Sequence, residues 1–346
     1  MIIDANAPGS INSAAQTLLG GELIGMPTET VYGLAADALN DQATLKIFTL
    51  KGRPVTHPLI AHVADIEGVE HFACDVPGFA KHLMNALWPG PLTLILHKVQ
   101  GVAAACTANA STIALRCPSH PVAQALLKRC NSLGIWGLAA PSANRFGRVS
   151  PTSAEHVLEE FGETLMILDG GSCEVGIEST IVDCTRGAPV VLRPGILTLD
   201  QISIAAGEKA VSAADFEQSN QPSELSTPKS SGTLASHYAP FARLRLLSRD
   251  EITLNLQSLK DPDLRLGVWS LSLHQARQAN PTNTNIVFKD MPCTALECAK
   301  ALFAQLRAFD ALGMSEIWVE KPPQTPEWAG ITDRLQRAAH TGAEHR

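Results

Sequence analysis

Six short stretches in the first two hundred residues set hydroxyls, arginines or a lysine beside small and turn-forming residues. That is the chemistry needed to hold an anion together with a small polar molecule. The first is Pro27-Thr28-Glu29-Thr30-Val31-Tyr32-Gly33-Leu34, where Thr28, Thr30 and Tyr32 follow a buried apolar run and Gly33 permits close backbone approach. The second is Lys51-Gly52-Arg53-Pro54, with His57 just beyond it and His62 inside an apolar run. The third is Thr112-Ile113-Ala114-Leu115-Arg116. Its period-two alternation puts Thr112, Ala114 and Arg116 on one strand face, and an inward arginine needs an anionic partner from protein or ligand. The fourth is Ala139-Ala140-Pro141-Ser142-Ala143-Asn144, followed by Arg148 and Ser150. The fifth joins Gly170-Gly171 and Gly176 to Glu178-Ser179-Thr180, and the sixth is Leu192-Arg193-Pro194-Gly195.

Each stretch alone also has a purely structural account. A polar turn explains the first, cations complementing a helix dipole explain the second, and a packed core histidine explains His62. Together they point to a site, because ligands of α/β proteins gather at strand ends. Several arginines with one lysine imply a substrate carrying more than one anionic group. The familiar nucleotide signatures are missing: there is no G-x-x-x-x-G-K-[ST], no G-x-G-x-x-G after a strand and no HExxH. A bound nucleotide must therefore be held by hydroxyls, backbone amides and arginines. His57 and His62 lie five apart and make no recognisable metal pair, so no protein metal site is expected.

The elements that must position these residues alternate between strand and helix. Helices are expected at Ser10–Gly20, Asp41–Leu50, Pro77–Leu87, Pro121–Asn131 and Ser153–Glu160. Strands are expected at Glu22–Met26, Pro58–Val63, Leu92–His97, Thr112–Arg116, Ile135–Ala140, Leu165–Leu168, Ser179–Asp183 and Val190–Arg193. The pattern dissolves between Gly207 and Pro240 into a Ser-, Pro- and Thr-rich run that is read as a linker and a candidate active-site lid. Beyond it the alternation resumes: strands at Leu244–Leu247, Leu266–Leu271, Asn285–Phe288 and Glu316–Val319 are separated by helices, with Ala295–Leu312 opened by Thr294 and Glu297 as a capping box. That rhythm argues for a small parallel-sheet domain. The division is thus 1–206, a linker over 207–240, and 241–346.

Composition sets outer limits. A chain of 346 residues suits two domains, and 45% hydrophobic with 18% charged residues is a globular balance. Its eight scattered cysteines contain no CxxC pair and read as mostly buried reduced thiols. There is no signal-peptide pattern at the N-terminus and no apolar run of the roughly 18 residues a bilayer span needs, so a cytoplasmic location is the default expectation. Residues 1–200 hold 18 acidic and 12 basic side chains, and residues 201–346 hold 16 and 15, nets of −6 and −1. Neither balance suits a stable nucleic-acid surface.

In order, PTETVYGL, KGRP with PLIAHV, WPGPLT, TIALRCP, APSAN, ESTIVD and LRPG closely resemble the YrdC-like domain. With the linker ending SHYAP and the appended domain, nearly the whole chain resembles the long form of the threonylcarbamoyl-AMP synthase family. The resemblance implies a YrdC-like open, twisted, mixed sheet with helices, followed by a small Rossmann-like domain. It implies that L-threonine, bicarbonate or CO2, and ATP give L-threonylcarbamoyl-AMP and pyrophosphate. That intermediate serves N6-threonylcarbamoylation of adenosine 37 in ANN-decoding tRNAs, completed by a separate transferase machinery. Thr30, His62, Arg116, Ala140 and Ser179 match threonine-contacting positions. Arg53, His57, Thr112, Ser142, Ser150, Arg193 and Tyr238 match nucleotide-contacting positions, and Lys51 with Arg53 would offset charge on the leaving pyrophosphate. Mg2+ is expected on the ATP phosphates, with no organic cofactor, and Glu178 or Glu29 would organise the site without being assigned as a base. Two alternatives stay open. Carbamoyl transfer in hydrogenase maturation uses a similar domain, but with zinc-binding and acylphosphatase modules this chain lacks, and the other alternative is an RNA-binding module without turnover.

Overall fold

The structure is a computed structural model that describes residues 1–219, 237–279 and 283–340. It divides into two compact units, one of residues 1–146 and 150–233, the other of 147–149 and 234–346.

In the first unit the strands are β1 (Ile2–Asp4), β2 (Ile24–Met26), β3 (Gly33–Asp37), β4 (Ile60–His62), β5 (Ala73–Cys74), β6 (Leu92–Lys98), β7 (Thr112–Arg116), β8 (Leu138–Ala139), β9 (Met166–Asp169), β10 (Thr180–Asp183), β11 (Val190–Arg193) and β12 (Val211–Ser212). The helices are α1 (Ser10–Leu19), α2 (Asp41–Lys51), α3 (Gly78–Leu87), α4 (Pro121–Asn131), α5 (Ala154–Phe161), α6 (Leu199–Ala206) and α7 (Ala213–Ser219). The strands join in one mixed sheet in the order β1-β9-β2-β3-β8-β4-β7-β6-β10-β11-β12, with β5 paired to β6. This is the mixed α/β sheet the resemblance to the YrdC-like domain implied.

Register decides which side chains meet. Thr93 of β6 pairs with Arg116 of β7, Arg116 pairs with His62 of β4, and Ile181 of β10 pairs with Thr93. Cross-strand partners share a face, so Thr93, Arg116 and His62 form one row. On the same face Ile60 and Ile95, each two residues from the row, and Ile181, level with Thr93, make a small apolar cluster with Ala114 and Leu192 against it. The opposite face carries Leu92, Leu94, Leu96, Ile113, Leu115 and Val182, which join the main core with Leu83 and Met84 of α3. One face of the central strands is therefore core, and the other is an apolar strip ending in a polar row.

Local expectations in this unit differ from the structure at several places. Gly33–Asp37 forms β3, which alternation cannot reveal because its first four residues are all buried. The strand expected over Ile135–Ala140 shrinks to Leu138–Ala139. Part of the expected linker is ordered: Val211 and Ser212 add an edge strand beside Val190 and Val191, and the Ser212 hydroxyl accepts from the Asp215 backbone N–H to start α7. Linker residues 220–236 lie outside the described residues.

The second unit is a four-stranded, all-parallel sheet of β13 (Arg243–Leu247), β14 (Leu266–Ser270), β15 (Ile286–Asp290) and β16 (Glu316–Glu320), ordered β13-β16-β14-β15. Its helices are α8 (Arg249–Gln257), α9 (Leu273–Ala279), α10 (Ala295–Ala311) and α11 (Ala329–His340). Thr294 caps α10 by accepting from the Glu297 N–H, but the Glu297 carboxylate takes the Thr294 hydroxyl, so the reciprocal half of the expected capping box is not made. Leu247, Ile252, Leu256, Leu266, Val268, Ala276, Ile286 and Trp318 form its core on one side. Among the described residues no helix is long and apolar enough to cross a membrane. All eight cysteines are free, six of them buried, and burial raises the Cys106 and Cys173 thiols to about 12.

Candidate active site

The strand-exit segment after β2 is shaped by Thr28. Its hydroxyl donates to the Val31 carbonyl at 2.6 Å and lies 3.2 Å from the N–H groups of Thr30 and Val31, closing a tight turn. The Thr28 proton is thus committed, so in the 2.9 Å contact between the two hydroxyls Thr30 is the donor. Thr30 in turn accepts from Arg116 Nη1 at 2.7 Å. This hydroxyl therefore keeps one lone pair for a ligand.

Arg116 is buried and held on three sides. Nη1 meets Thr30, Nε donates to the Gly90 carbonyl at 3.3 Å, and Nη2 stands 2.7 Å from Glu29 Oε1. Gly90 is required there, since a Cβ would run into the Leu87 carbonyl oxygen. The anionic partner demanded by an inward arginine is thus a protein carboxylate, Glu29. Burial pushes the Glu29 carboxyl up, but the Arg116 guanidinium, with nearby N–H groups of Glu29 and Ser119, outweighs it and holds the group below the ordinary carboxylate value. The carboxylate contact is chiefly electrostatic, because neither Glu29 oxygen meets a donor at full hydrogen-bond geometry.

His62, beside Arg116 in the row, is fully enclosed. Burial first, and the Arg116 charge second, lower it to about 3, so the ring is neutral at physiological pH. Its Nδ1 has no partner among the described residues. Both Glu29 oxygens and Arg116 Nη2, although joined as an ion pair, likewise lack a partner at full hydrogen-bond geometry. Native proteins pair almost all buried polar groups, so this concentration marks a place built for something other than its own stability.

Ser179, just before β10, bonds Thr93 hydroxyl to hydroxyl at 2.7 Å. Arg193 at the end of β11 fixes Ser179 by donating from Nε and Nη2 to its carbonyl at 3.1 and 2.9 Å. Ala140 closes the far wall: its N–H donates to Ile60 O at 3.0 Å, and a Cβ on Gly33 would come within 3.1 Å of its own. Thr30, His62, Arg116, Ala140 and Ser179, drawn from five separate stretches, thus belong to one tied set through β4, β6, β7, β8 and β10.

The basic motif does something unexpected. Asn40 caps α2 by accepting from the Ala43 N–H, and Gly52, at φ 64°, ends the helix in the left-handed region where glycine is favoured. Lys51 is thereby turned inward, and its ammonium donates to the carbonyls of Ser142 (2.6 Å) and Asn144. Burial, then the Arg53 charge, depress its pKa well below the ordinary lysine value. Arg53 donates to the carbonyls of His57 and Pro58 at 3.3 and 2.9 Å, and both Arg53 and His57 lie near the Phe146 ring. The 51–58 and 142–146 segments are in this way one assembly. Thr112 opens β7 opposite His97. Ser150, fully buried, donates to Glu178 Oε1 at 2.6 Å.

Tyr238 belongs to the second unit. It has a left-handed backbone (φ 63°), its ring stacks on Phe303 at 5.4 Å, and Arg334 lies 5.5 Å over it. Arg148 also groups there, 3.3 Å over the Phe241 ring and 3.7 Å from Asp310. Sequence reasoning passed over Thr93 and gave Glu29 only an organising role. The alternation of Leu92–Lys98 around one hydroxyl was the available signal for Thr93, and the demand of Arg116 for an anion was the signal for Glu29.

Residues 16–195 match the family model described as Telomere recombination (Sua5, YciO, YrdC), and residues 197–340 match the model of the threonylcarbamoyl-AMP synthase C-terminal domain. The threonylcarbamoyl-AMP synthase of Pyrococcus abyssi is 37% identical over 336 residues, covering 95% of this chain and 94% of that protein. That of Bacillus subtilis is 38% identical over 342 residues, covering 97% and 94%. The crystal structure of P. abyssi Sua5 complexed with L-threonine superposes with a TM-score of 0.85 at 34% identity, over 98% of this chain and 97% of the other.

Proposed function

The chain belongs to the family of threonylcarbamoyl-AMP synthases, and from that membership we propose how its residues divide the work. It is a nucleotidyl-transferring enzyme whose substrates are L-threonine and ATP and whose product, L-threonylcarbamoyl-AMP, serves N6-threonylcarbamoyladenosine formation in tRNA. The RNA-binding alternative finds no support in the comparisons.

In our reading the carbon comes from bicarbonate or CO2. The threonine ammonium loses a proton, its nitrogen bonds the carbon of CO2, and a second proton leaves that nitrogen to give a carbamate. A carbamate oxygen then bonds the α-phosphorus of ATP, and the bond to the bridging oxygen of the β-phosphate breaks, releasing pyrophosphate. No covalent enzyme intermediate is needed, so catalysis is positioning and electrostatics. Arg116 offers the threonine carboxylate the N–H groups not used on Gly90, Thr30 and Glu29. Thr30 and Ser179 meet the amine or hydroxyl, and His62 and Ala140 close the pocket. Arg53, His57, Thr112, Ser142, Ser150, Arg193 and Tyr238 hold the nucleotide. Arg53 supplies the cation for the leaving pyrophosphate, whereas Lys51 acts through the Ser142–Asn144 loop it grips. Among the described residues no group of three His, Cys, Asp or Glu could cage a metal, so Mg2+ would arrive on the triphosphate and neutralise it there. The product passes to a separate tRNA-modifying transferase.

The observation that carries this reading is the row Thr93–Arg116–His62, with its buried, incompletely partnered polar atoms. The test is pyrophosphate release from ATP, assayed with L-threonine and bicarbonate supplied singly and together. Release that requires both is expected; release indifferent to threonine would sink the reading.

A further inference from the structure

We infer that Glu29 is a specificity-determining residue, whose buried carboxylate balances Arg116 so that the pocket admits its amino acid as a zwitterion and rejects the corresponding anion. The inference deepens the proposed function and rests on Arg116 receiving the threonine carboxylate.

The charge count around the row leads there. Glu29 and Arg116 are both about 95% buried as side chains and stand 2.7 Å apart, one negative and one positive. The other side chains of the row carry no charge: Thr30, Thr93 and Ser179 are hydroxyls and His62 is neutral, while the next cation, Arg193, stands behind Ser179 and is bound to its carbonyl. His120 also feels the Glu29 charge, and burial lowers its pKa, so it stays uncharged at neutral pH. The Glu29–Arg116 pair at the centre of the row therefore sums to zero, arranged as a dipole.

A dipole of that kind discriminates by charge pattern. A zwitterion can lie antiparallel to it, carboxylate toward Arg116 and ammonium toward Glu29. An anion of the same shape gains from Arg116 and loses much of it to Glu29. In a partly buried setting a unit charge about 6 Å away changes an affinity by roughly 100-fold. Contact with Glu29 is unnecessary for this, which suits oxygens that are closed to solvent. An ion pair with so few hydrogen bonds is poor value for stability alone, since a well-packed apolar pair does as well. The pair also suits the reaction. The free amino acid is matched in charge, and negative charge builds only once carbamate has formed, when Arg53 and Arg193 face the nucleotide.

The test uses the full chain and titration calorimetry with two ligands: L-threonine, and (2S,3R)-2,3-dihydroxybutanoate, which has a hydroxyl in place of the ammonium. The wild type should bind threonine at least 100-fold more tightly. Glu29→Gln should narrow that ratio at least tenfold, chiefly by improving the anion, while Glu29→Asp should keep most of it. A purely structural role would weaken both ligands alike, and an unchanged ratio in Glu29→Gln overturns the inference. Should that variant fail to fold, the wild type alone decides: ratios within threefold overturn it. Absence of any threonine binding by the wild type would instead defeat the proposed function on which it stands.

Discussion

Both units are α/β sheets with a buried carboxylate near a strand end, and the two carboxylates are treated oppositely. Glu320, closing β16 in the second unit, accepts from the Ser270 hydroxyl at 2.6 Å, the Ser272 N–H at 3.0 Å and the Ser272 hydroxyl at 3.3 Å. Each oxygen has a donor, and together they lock the turn after β14. Glu29, after β2 in the first unit, faces one guanidinium and has no donor at full geometry. A satisfied buried carboxylate is architecture, whereas one that faces an arginine beside a neutral histidine is, in our proposal, part of the ligand pocket. Burial alone would not have told them apart.

Substitutions should widen that contrast. Arg116→Met removes the row's cation and strands Glu29, so we expect a loss of about 3–5 kcal/mol in stability and a fall of more than about 1,000-fold in threonine-dependent pyrophosphate release. Denaturant unfolding and steady-state kinetics measure the two. Lys51→Met should act at the loop instead: kcat/KM for ATP should fall by about 100-fold while threonine affinity measured by calorimetry stays within a few-fold. Equal losses for both substrates would show that the loop serves the whole pocket. Glu320→Gln should cost about 1–3 kcal/mol of stability and leave kcat/KM for both substrates within about threefold. A large kinetic effect there would erase the distinction drawn between the two carboxylates.

The smallest expected effect is in pH. The folded His62 pKa, about 3, lies below the unfolded value near 6.5. Between those values the unfolded chain binds a proton that the folded chain refuses. Stability from this residue is therefore whole above pH 6.5 and declines as pH falls toward 3. Going from pH 7.5 to 5.5 should cost the wild type about 1–1.5 kcal/mol more than it costs His62→Gln. Urea unfolding at the two pH values tests it, and identical pH dependence would mean that His62 is not enclosed as described.

Part of this was legible in the sequence and part was not, for physical reasons. Period two in Thr112–Arg116 identified the face of Arg116 and its need for an anion, because alternation is local. The identity of that anion was not local: Glu29 comes from a turn 87 residues earlier, brought in by the pairing of β4 with β7 and β3 with β8. Lys51 was legible as a basic residue at a helix end, but its direction was set by Gly52 and by two carbonyls 91 and 93 residues away. β3 was hidden because burial on both faces removes the alternation that betrays a strand. In the second unit the strand–helix alternation itself gave the parallel sheet, since a helix stands between each strand and the next.

The contrast rests finally on where threonine sits. A crystal structure of the chain with L-threonine and a non-hydrolysable ATP analogue measures this directly. The account predicts the threonine carboxylate within about 3 Å of Arg116 nitrogens, between Thr30 and Ser179, with Glu29 still paired to the guanidinium. Threonine bound away from the Thr93–Arg116–His62 row, with Arg116 still closed on Glu29 and Thr30, would contradict it.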